Sequence, residues 1–506
     1  MSGNKSRFKN ATLNIVSLIL LQILTAASGL VLPKLMISTY GSEINGLVSS
    51  IAQFLSYISL LEGGIGGVIM AELYKPLNDN DMMAVSGIMK VSENFYRKIA
   101  KIFVIYTIAL CAVYPFLVDT ELDHMYVIAL IFIISISTLL EYFFALQYIS
   151  LLTADQRARV IYIVSSITVI LNFSVTWVLI AVNANIVILK LGSCFVFALK
   201  PIFYRLYVRR KYKIISDCPP DNNALKQRWN GFAHNIAYFI HSSADVAVIT
   251  LSMGVEYVSV YSIYFAIVSG IEKIVTSISK GSSAGIGNLI AQNKEEDTNR
   301  VIDLYEFVQV SVSTVAYTIT AILLIPFVKI YLGKVTDVNY VQPLFGYLLL
   351  AAEFFYGVRC IYSTVISAAG HFKQTQIGAF AEAILNVVLS LALVRSFGLI
   401  GVAMGTLFAM LFRTLYEVIY LKKHIMHRSI LKFVRIMLVN FAVLISATVV
   451  CNLLFDYTID TWRSWLIHGV YTTLITITAS LVWYFVFYKT QIKQLANQII
   501  NLLRKT

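Results

Sequence analysis

Residues 160–182 read VIYIVSSITVILNFSVTWVLIAV, and residues 185–207 read NIVILKLGSCFVFALKPIFYRLY. The first stretch holds no charged residue; the second holds only Lys190, Lys200 and Arg205. A helix rising about 1.5 Å per residue needs roughly 20 mostly apolar residues to cross a bilayer core. Each stretch is long enough, and Asn183-Ala184-Asn185 between them is a short polar turn, so the pair reads as two spanning helices. Working outward, the same pattern places further spans near 10–36, 44–71, 99–118 and 125–148. Others lie near 231–252, 256–289, 303–330, 342–366, 375–395, 399–421, 433–455 and 464–488. The expected fold is an all-α polytopic integral membrane protein of about 14 transmembrane helices.

Composition agrees. Of 506 residues, 58% are hydrophobic and only 13% charged, with a mean hydropathy of +0.75. Soluble globular chains carry roughly 25% charged residues. The net charge of +13 does not point to nucleic acid. The basic residues sit in alternate short segments between the spans, and none forms a basic stripe interleaved with aromatics on a soluble segment. Lys and Arg concentrate at the N-terminus, in 72–101, 150–159, 205–230, 280–302, 367–374 and 422–435, and in the tail. The opposite segments hold Lys329, Lys334, Arg395 and Arg463. By the positive-inside rule the rich set is cytoplasmic, with both termini. The first span follows Lys5, Arg7 and Lys9 but is too long for a signal-peptide core, so it reads as a retained anchor. In the tail, Ile492, Leu495, Ile499, Leu502 and Leu503 fall at helical spacing. That fits an amphipathic helix on the inner surface, or equally a solvated helical tail.

Chemistry of the usual catalytic kinds is not signalled. The five cysteines, Cys111, Cys194, Cys218, Cys360 and Cys451, are scattered and show no metal-ligand or CxxC spacing. No P-loop, HExxH or GxSxG occurs in a suitable setting. No metal and no cofactor is expected. The glycines from Gly63 to Gly67 lie within an apolar helix, with no βαβ unit around them. Gly63 and Gly67 are four apart, as are Gly281 and Gly285, and Gly401 and Gly405. Small residues at that spacing let helices approach closely in lipid.

A weak internal repeat organises the chain. A shift of 214 sets Leu171-Asn172 on Leu385-Asn386, Ile186 on Ile400 and Arg209 on Lys423. A shift of 221 sets Asn14-Ile15 on Asn235-Ile236, and Ile65-Gly66 on Ile286-Gly287. Six spans return the chain to the same side, so the two halves are parallel repeats. The expected division is a six-helix lobe over 1–206, a cytoplasmic linker over 207–230 and a second six-helix lobe over 231–424. Residues 425–506 add two spans and the tail. Such a body suggests a transporter that rocks two lobes about a central site.

The residues also resemble a known family. Gly46-Leu47 and Leu60-Leu61-Glu62-Gly63-Gly64-Ile65-Gly66-Gly67 carry the likeness. So do His234-Asn235-Ile236, Asp245, Tyr261-Ser262-Ile263-Tyr264, Gly285-Ile286-Gly287-Asn288, Asn386 and Gly398-Leu399-Ile400-Gly401-Val402-Ala403. The chain looks like the polysaccharide transporter branch of the multidrug/oligosaccharidyl-lipid/polysaccharide exporter superfamily, over essentially its whole length. The resemblance implies a two-lobed, MATE-like, V-shaped bundle in a bacterial inner membrane. It also implies a flippase that carries an undecaprenyl-diphosphate-linked oligosaccharide to the outer leaflet for O-antigen, capsule or exopolysaccharide assembly. Its partners would be the lipid-linked sugar, the bilayer, and a polymerase with its chain-length protein. A cation-coupled multidrug exporter of the same superfamily and a peptidoglycan-precursor flippase stay open. A polytopic polymerase or ligase would be expected to carry a large outer loop, and every outer loop here is short.

Ionisable groups at membrane depth are functional candidates, because placing one there costs roughly 2.5–3.5 kcal/mol on insertion scales. Lys200, Lys273, Arg359 and Arg413 are the candidate contacts for an anionic diphosphate. Under the repeat, Lys200 maps beside Arg413. Asp245, with His241 one turn before it, is the candidate site for a coupling proton or Na⁺, and Glu62 and Glu353 join it as acids at depth. The opposing reading pairs each cation with Glu353, Glu382 or helix-end carbonyls. Lys34 and Lys190, near outer span ends, read as snorkelling side chains.

Overall fold

A computed structural model describes residues 2–62, 65–215, 218–221, 232–291, 295–426, 429–454 and 459–503. Among them there is no strand. Backbone polar groups have no water to bond in hydrocarbon, and a helix satisfies them within its own segment. The helices are α1 (Ser2–Ser56), α2 (Ile65–Asn78), α3 (Met82–Leu117), α4 (His124–Phe144), α5 (Leu146–Ala154), α6 (Ala158–Ala181) and α7 (Ile186–Lys211). They continue as α8 (Phe232–Ser252), α9 (Val255–Ala291), α10 (Glu295–Leu332), α11 (Pro343–Ala368), α12 (Phe372–Phe397) and α13 (Leu399–His424). Last come α14 (Ile430–Leu454), α15 (Trp462–Phe487) and α16 (Lys489–Leu503).

Among the described residues, twelve helices are long and apolar enough to cross a membrane, which makes this a multi-pass membrane protein. The difference from the expected fourteen arises at two places. The first two expected spans run together as Thr12–Leu61, broken at Gly41, whose φ of +86° and ψ of 171° interrupt the helix. Ser243–Ser252 of α8 is a shorter apolar helix. The second expected span is itself discontinuous: α1 gives way to a 3₁₀ turn at Tyr57–Leu61 before α2 begins. The fourth breaks at Ala145 into α4 and α5. Some segments expected as cytoplasmic loops are instead helical, because α3 and α10 begin well before their apolar cores.

By packing the chain divides into two compact units. One comprises Met1–Phe239 with Ile249–Ile263; the other comprises Ile240–Val248 with Tyr264–Thr506. In the first unit α3 packs on α4, α4 on α7, α6 on α7 and α1 on α6. In the second, α10 packs on α11, α11 on α13 and α12 on α13, while α14 and α15 pack on each other and on α10. The order of contacts repeats, and so do the boundaries. From Ala158 to Phe372 the shift is 214; from Ile186 to Leu399 and from Lys211 to His424 it is 213. α7 and α13 both end on three basic or imidazole side chains, Arg209-Arg210-Lys211 and Lys422-Lys423-His424, the charge that a helix C-terminus favours.

Within the first unit α7 continues to Lys211, past residue 207, and residues 212–215 and 218–221 follow it without helix. These residues lie along the start of α3. The Ile215 amide donates to Ser86 Oγ at 3.0 Å, and the Asp221 amide donates to the Gly87 carbonyl at 3.2 Å. Residues 222–231 lie outside the described residues.

Candidate functional site

In the second unit α12 and α13 form a tight hairpin. Gly398 joins them at φ +56°, ψ −134°, a left-handed conformation that glycine reaches without a Cβ clash. Just beyond it the helices nearly touch. A Cβ on Gly401 would lie 2.4 Å from the Leu393 carbonyl oxygen, and one on Gly405 would lie 2.4 Å from Ser390 Oγ and 2.7 Å from its amide nitrogen. Among the described glycines of the pairs read from the sequence, Gly401 and Gly405 make this close approach. A Cβ on Gly67 or Gly281 would meet nothing within 4 Å, and Gly63 lies outside the described residues.

That close approach brings oxygen atoms together in the buried seam of α8, α12 and α13. The Thr406 hydroxyl donates to Asp245 Oδ2 at 2.9 Å and lies 3.2 Å from the Val402 carbonyl. Asn386 Nδ2 donates to Thr406 Oγ1 at 3.0 Å, and Ser390 Oγ donates to the Val402 carbonyl at 3.3 Å. Asp245, Asn386, Ser390 and Thr406 are all buried. Asn386 Oδ1 is buried with no hydrogen-bond partner among the described residues. Carboxylate, hydroxyl, amide and carbonyl oxygens are the donors that hard cations take. The residues present therefore fit a Na⁺-like ion, and Asp245 equally fits a proton. His241 is on α8, but its side chain lies outside the described ones.

One turn along α12 from Asn386 stands Glu382, and here the second cluster begins. Arg359 of α11 donates from Nη1 to Glu382 Oε1 at 2.7 Å. Arg413 of α13 donates from Nε to Glu417 Oε1 at 2.9 Å, lies 3.7 Å from Glu382 Oε2, and donates from Nη1 to the Thr375 carbonyl at 3.1 Å. The Ser363 hydroxyl donates to Glu417 Oε2 at 2.6 Å. Each guanidinium also lies over a ring of its own helix, Tyr356 at 5.0 Å and Tyr416 at 5.7 Å. All four charged residues are buried. Two cations and two anions thus form a neutral network that ties α11, α12 and α13 together.

The four basic residues expected to act together are therefore distributed in three ways. Arg359 and Arg413 meet, but across Glu382 rather than as an open basic patch. Lys273 is exposed on α9 beside Glu272, and takes part in no ion pair among the described residues. Lys200 is in the first unit, its Nζ 5.0 Å from the centre of the Phe197 ring. Of the acids, Glu353 is buried on α11 within electrostatic reach of Glu272, Asp245 and Glu382. Glu62 is in the first unit, hydrogen-bonded with Tyr142 and within reach of Glu141. Glu417, Ser390 and Thr406 were not singled out from the sequence. Glu417 was legible there, since it follows Arg413 at the i,i+4 spacing that pairs charges on one helix face.

No protein-family profile matches the chain, and no curated protein matches it. Solved structures do. The lipid II flippase MurJ, in an inward closed conformation, superposes with a TM-score of 0.72 at 16% identity, over 95% of this chain and 100% of that one. An inward-facing MATE multidrug resistance transporter of the MOP superfamily superposes with a TM-score of 0.53 at 14% identity, over 82% of this chain and 99% of that one. An outward-facing one gives 0.54 at 14% identity, over 80% and 94%. The chain carries the fold shared by the MurJ flippase and the MATE exporters, a fold of membrane transporters.

Proposed function

We propose that this protein is a flippase that moves an undecaprenyl-diphosphate-linked oligosaccharide from the inner to the outer leaflet of a bacterial cell membrane, by alternating access, for surface polysaccharide assembly. The observation that carries this reading is the extent of the likeness to MurJ. A match over 95% of the chain cannot leave out both α14 and α15, whose 25 and 26 residues are about a tenth of it. The matches to drug exporters, at 80–82%, leave room for that omission. A peptidoglycan-precursor flippase is a second reading, favoured by the same neighbour.

The diphosphate needs cations. Lys200 and Lys273 have no ion pair among the described residues, whereas Arg359 and Arg413 share theirs with Glu382 and Glu417. In this reading Lys200, Lys273, Arg359 and Arg413 are the candidate contacts for the diphosphate. Movement of negative charge outward gains up to about 2.3 kcal/mol per charge per 100 mV of inside-negative potential. The Asp245–Asn386–Ser390–Thr406 cluster holds the coupling cation or proton, with His241, Glu353 and Glu62 as further proton-accepting groups.

The test is reconstitution in vesicles with three cargoes offered separately: a fluorescent polyprenyl-diphosphate oligosaccharide, fluorescent lipid II, and a cationic dye. Translocation of the oligosaccharide lipid, sensed by an impermeant quencher, is the expected result. Transport of lipid II alone selects the second reading. Export of the dye with no lipid movement would overturn both.

A further inference from the structure

The repeat-related helix ends of the two units are built alike but charged differently. In the first unit Gln156 leads into α6 at φ +57°; 214 positions on, Gly370 leads into α12 at φ +76°. Arg157 follows the one and His371 the other. Arg157 donates from Nη1 to Tyr207 Oη of α7 at 3.5 Å, and His371 Nδ1 is 2.9 Å from Tyr420 Oη of α13. His371 is 214 positions after Arg157 and Tyr420 is 213 after Tyr207, so the same contact closes the helix pair in each unit. The difference is an acid. In the first unit Asp155 pairs with Arg157 at 2.6 Å and accepts a hydrogen bond from the Tyr212 hydroxyl. The matching position in the second unit is Ala369. Lys373, Lys422 and Lys423 at this end are exposed and take part in no ion pair among the described residues.

We propose that this end of the α12–α13 hairpin binds the phosphate headgroup of an anionic phospholipid from the surrounding leaflet, in the place that Asp155 takes in the first unit. The surface is graded by depth as such a lipid requires. Lys373 continues the exposed stripe Ile377, Phe380 and Ile384 of α12, and Lys422 continues Phe412, Leu415 and Ile419 of α13. Spacings of three and four keep each set on one helix face. Along α13 the rings of Phe412, Tyr416, Tyr420 and His424 form a ladder, with successive centroids 6.2, 6.4 and 4.7 Å apart. Tyr416 lies against α12 because residue 378 is glycine, where a Cβ would come 2.4 Å from the Tyr416 ring. Toward the helix ends the surface thus passes from hydrocarbon to phenol to imidazole and ammonium, the order in which a phospholipid presents chains, esters and phosphate. Charge selects the class of lipid. A zwitterionic headgroup brings an ammonium of its own, which the lysines repel, whereas an anionic one gains roughly 1 kcal/mol per nearby Lys. The positive-inside reading also puts this end on the side where anionic lipids draw basic segments.

The experiment titrates the full-length protein in detergent with phosphatidylglycerol, phosphatidylcholine, undecaprenyl phosphate and sodium pyrophosphate, each alone, and counts bound molecules by native mass spectrometry. Phosphatidylglycerol should bind in preference to the other three. Ala369→Asp supplies the carboxylate that the first unit has, removes no cation, and should weaken phosphatidylglycerol binding about tenfold. Lys373→Gln with Lys422→Gln should weaken it by a similar factor. An unfolding midpoint in phosphatidylcholine equal to that of the parent protein shows that each variant is folded. Equal binding of phosphatidylglycerol and phosphatidylcholine would overturn the proposal. So would an unchanged phosphatidylglycerol affinity in either variant, which would put the lipid elsewhere on this basic protein. Preferential binding of undecaprenyl phosphate would make the hairpin end a dock for cargo, and binding of pyrophosphate as tight as that of the lipid would make it a site for free anions; either result also rejects the bilayer lipid.

Discussion

Replacing Arg413 with Gln removes one of two cations from a buried network of four charges. Its Nε is 2.9 Å from Glu417 and 3.7 Å from Glu382, and Arg413 and Glu417 are 5% and 2% exposed. The variant leaves Glu417 with a hydrogen bond from the Ser363 hydroxyl, and leaves Arg359 facing two carboxylates alone. Breaking a buried pair by deleting one member costs about 3–5 kcal/mol, because the other charge stays buried and uncompensated. For a unit of this size that is a fall in unfolding midpoint of roughly 6–20 °C. Arg413→Gln with Glu417→Gln restores neutrality and keeps Arg359 on Glu382. It should therefore be more stable than Arg413→Gln alone, with a coupling energy of about 1–3 kcal/mol in the double-mutant cycle. The assay is thermal unfolding of the detergent-purified protein, followed by intrinsic fluorescence and by monodispersity. Additive single-variant losses, or a fall below about 2 °C for Arg413→Gln, would refute the account of a cooperative network.

Asp245→Asn should remove the Na⁺ or pH dependence of transport in vesicles while the protein still inserts and purifies normally; an unchanged dependence would place coupling elsewhere. Gly405→Ala should lose about 1–3 kcal/mol, read as a lower unfolding midpoint, since its Cβ would meet the Ser390 backbone at 2.7 Å; a neutral result would mean that α12 and α13 part easily. Cysteines placed at Glu121 and at Lys211, both exposed, should label differently in intact cells. An impermeant thiol reagent should reach Glu121→Cys and not Lys211→Cys, and the reverse pattern would invert the orientation.

The parts of this fold that composition and spacing encode are those set by one helix or one turn. The paired spans α6–α7 and α12–α13 came out of the sequence because each is an apolar run bounded by a polar or glycine turn. The shift of 214 found between them reappears at the start of α6 and α12, and drops to 213 at both ends of α7 and α13. The broken second span did not come out, because hydropathy averages over the 3₁₀ turn at Tyr57–Leu61, whose residues are as apolar as those of a continuous helix. The forward extensions of α3 and α10 were hidden for the opposite reason. Their charged residues read as loop, yet helix propensity in Glu, Lys and Arg is high.

At the site the same division holds between what is local and what is tertiary. The charges at membrane depth were legible because they are rare there. Their partners were not, since Glu382 reaches Arg359 from 23 positions away and Thr406 reaches Asp245 from 161 away. Only Arg413 and Glu417 lay within one helical repeat. A lone arginine in a list of intramembrane cations looks available to an anionic ligand. The same arginine beside two carboxylates is a structural tie, and any phosphate must compete with them for it. That competition makes Lys200 and Lys273 the more accessible cations. It also makes the network a test of the reading: if Arg359 and Arg413 do contact cargo, neutralising Glu382 should strengthen cargo binding while weakening the fold, and no purely structural tie would do both.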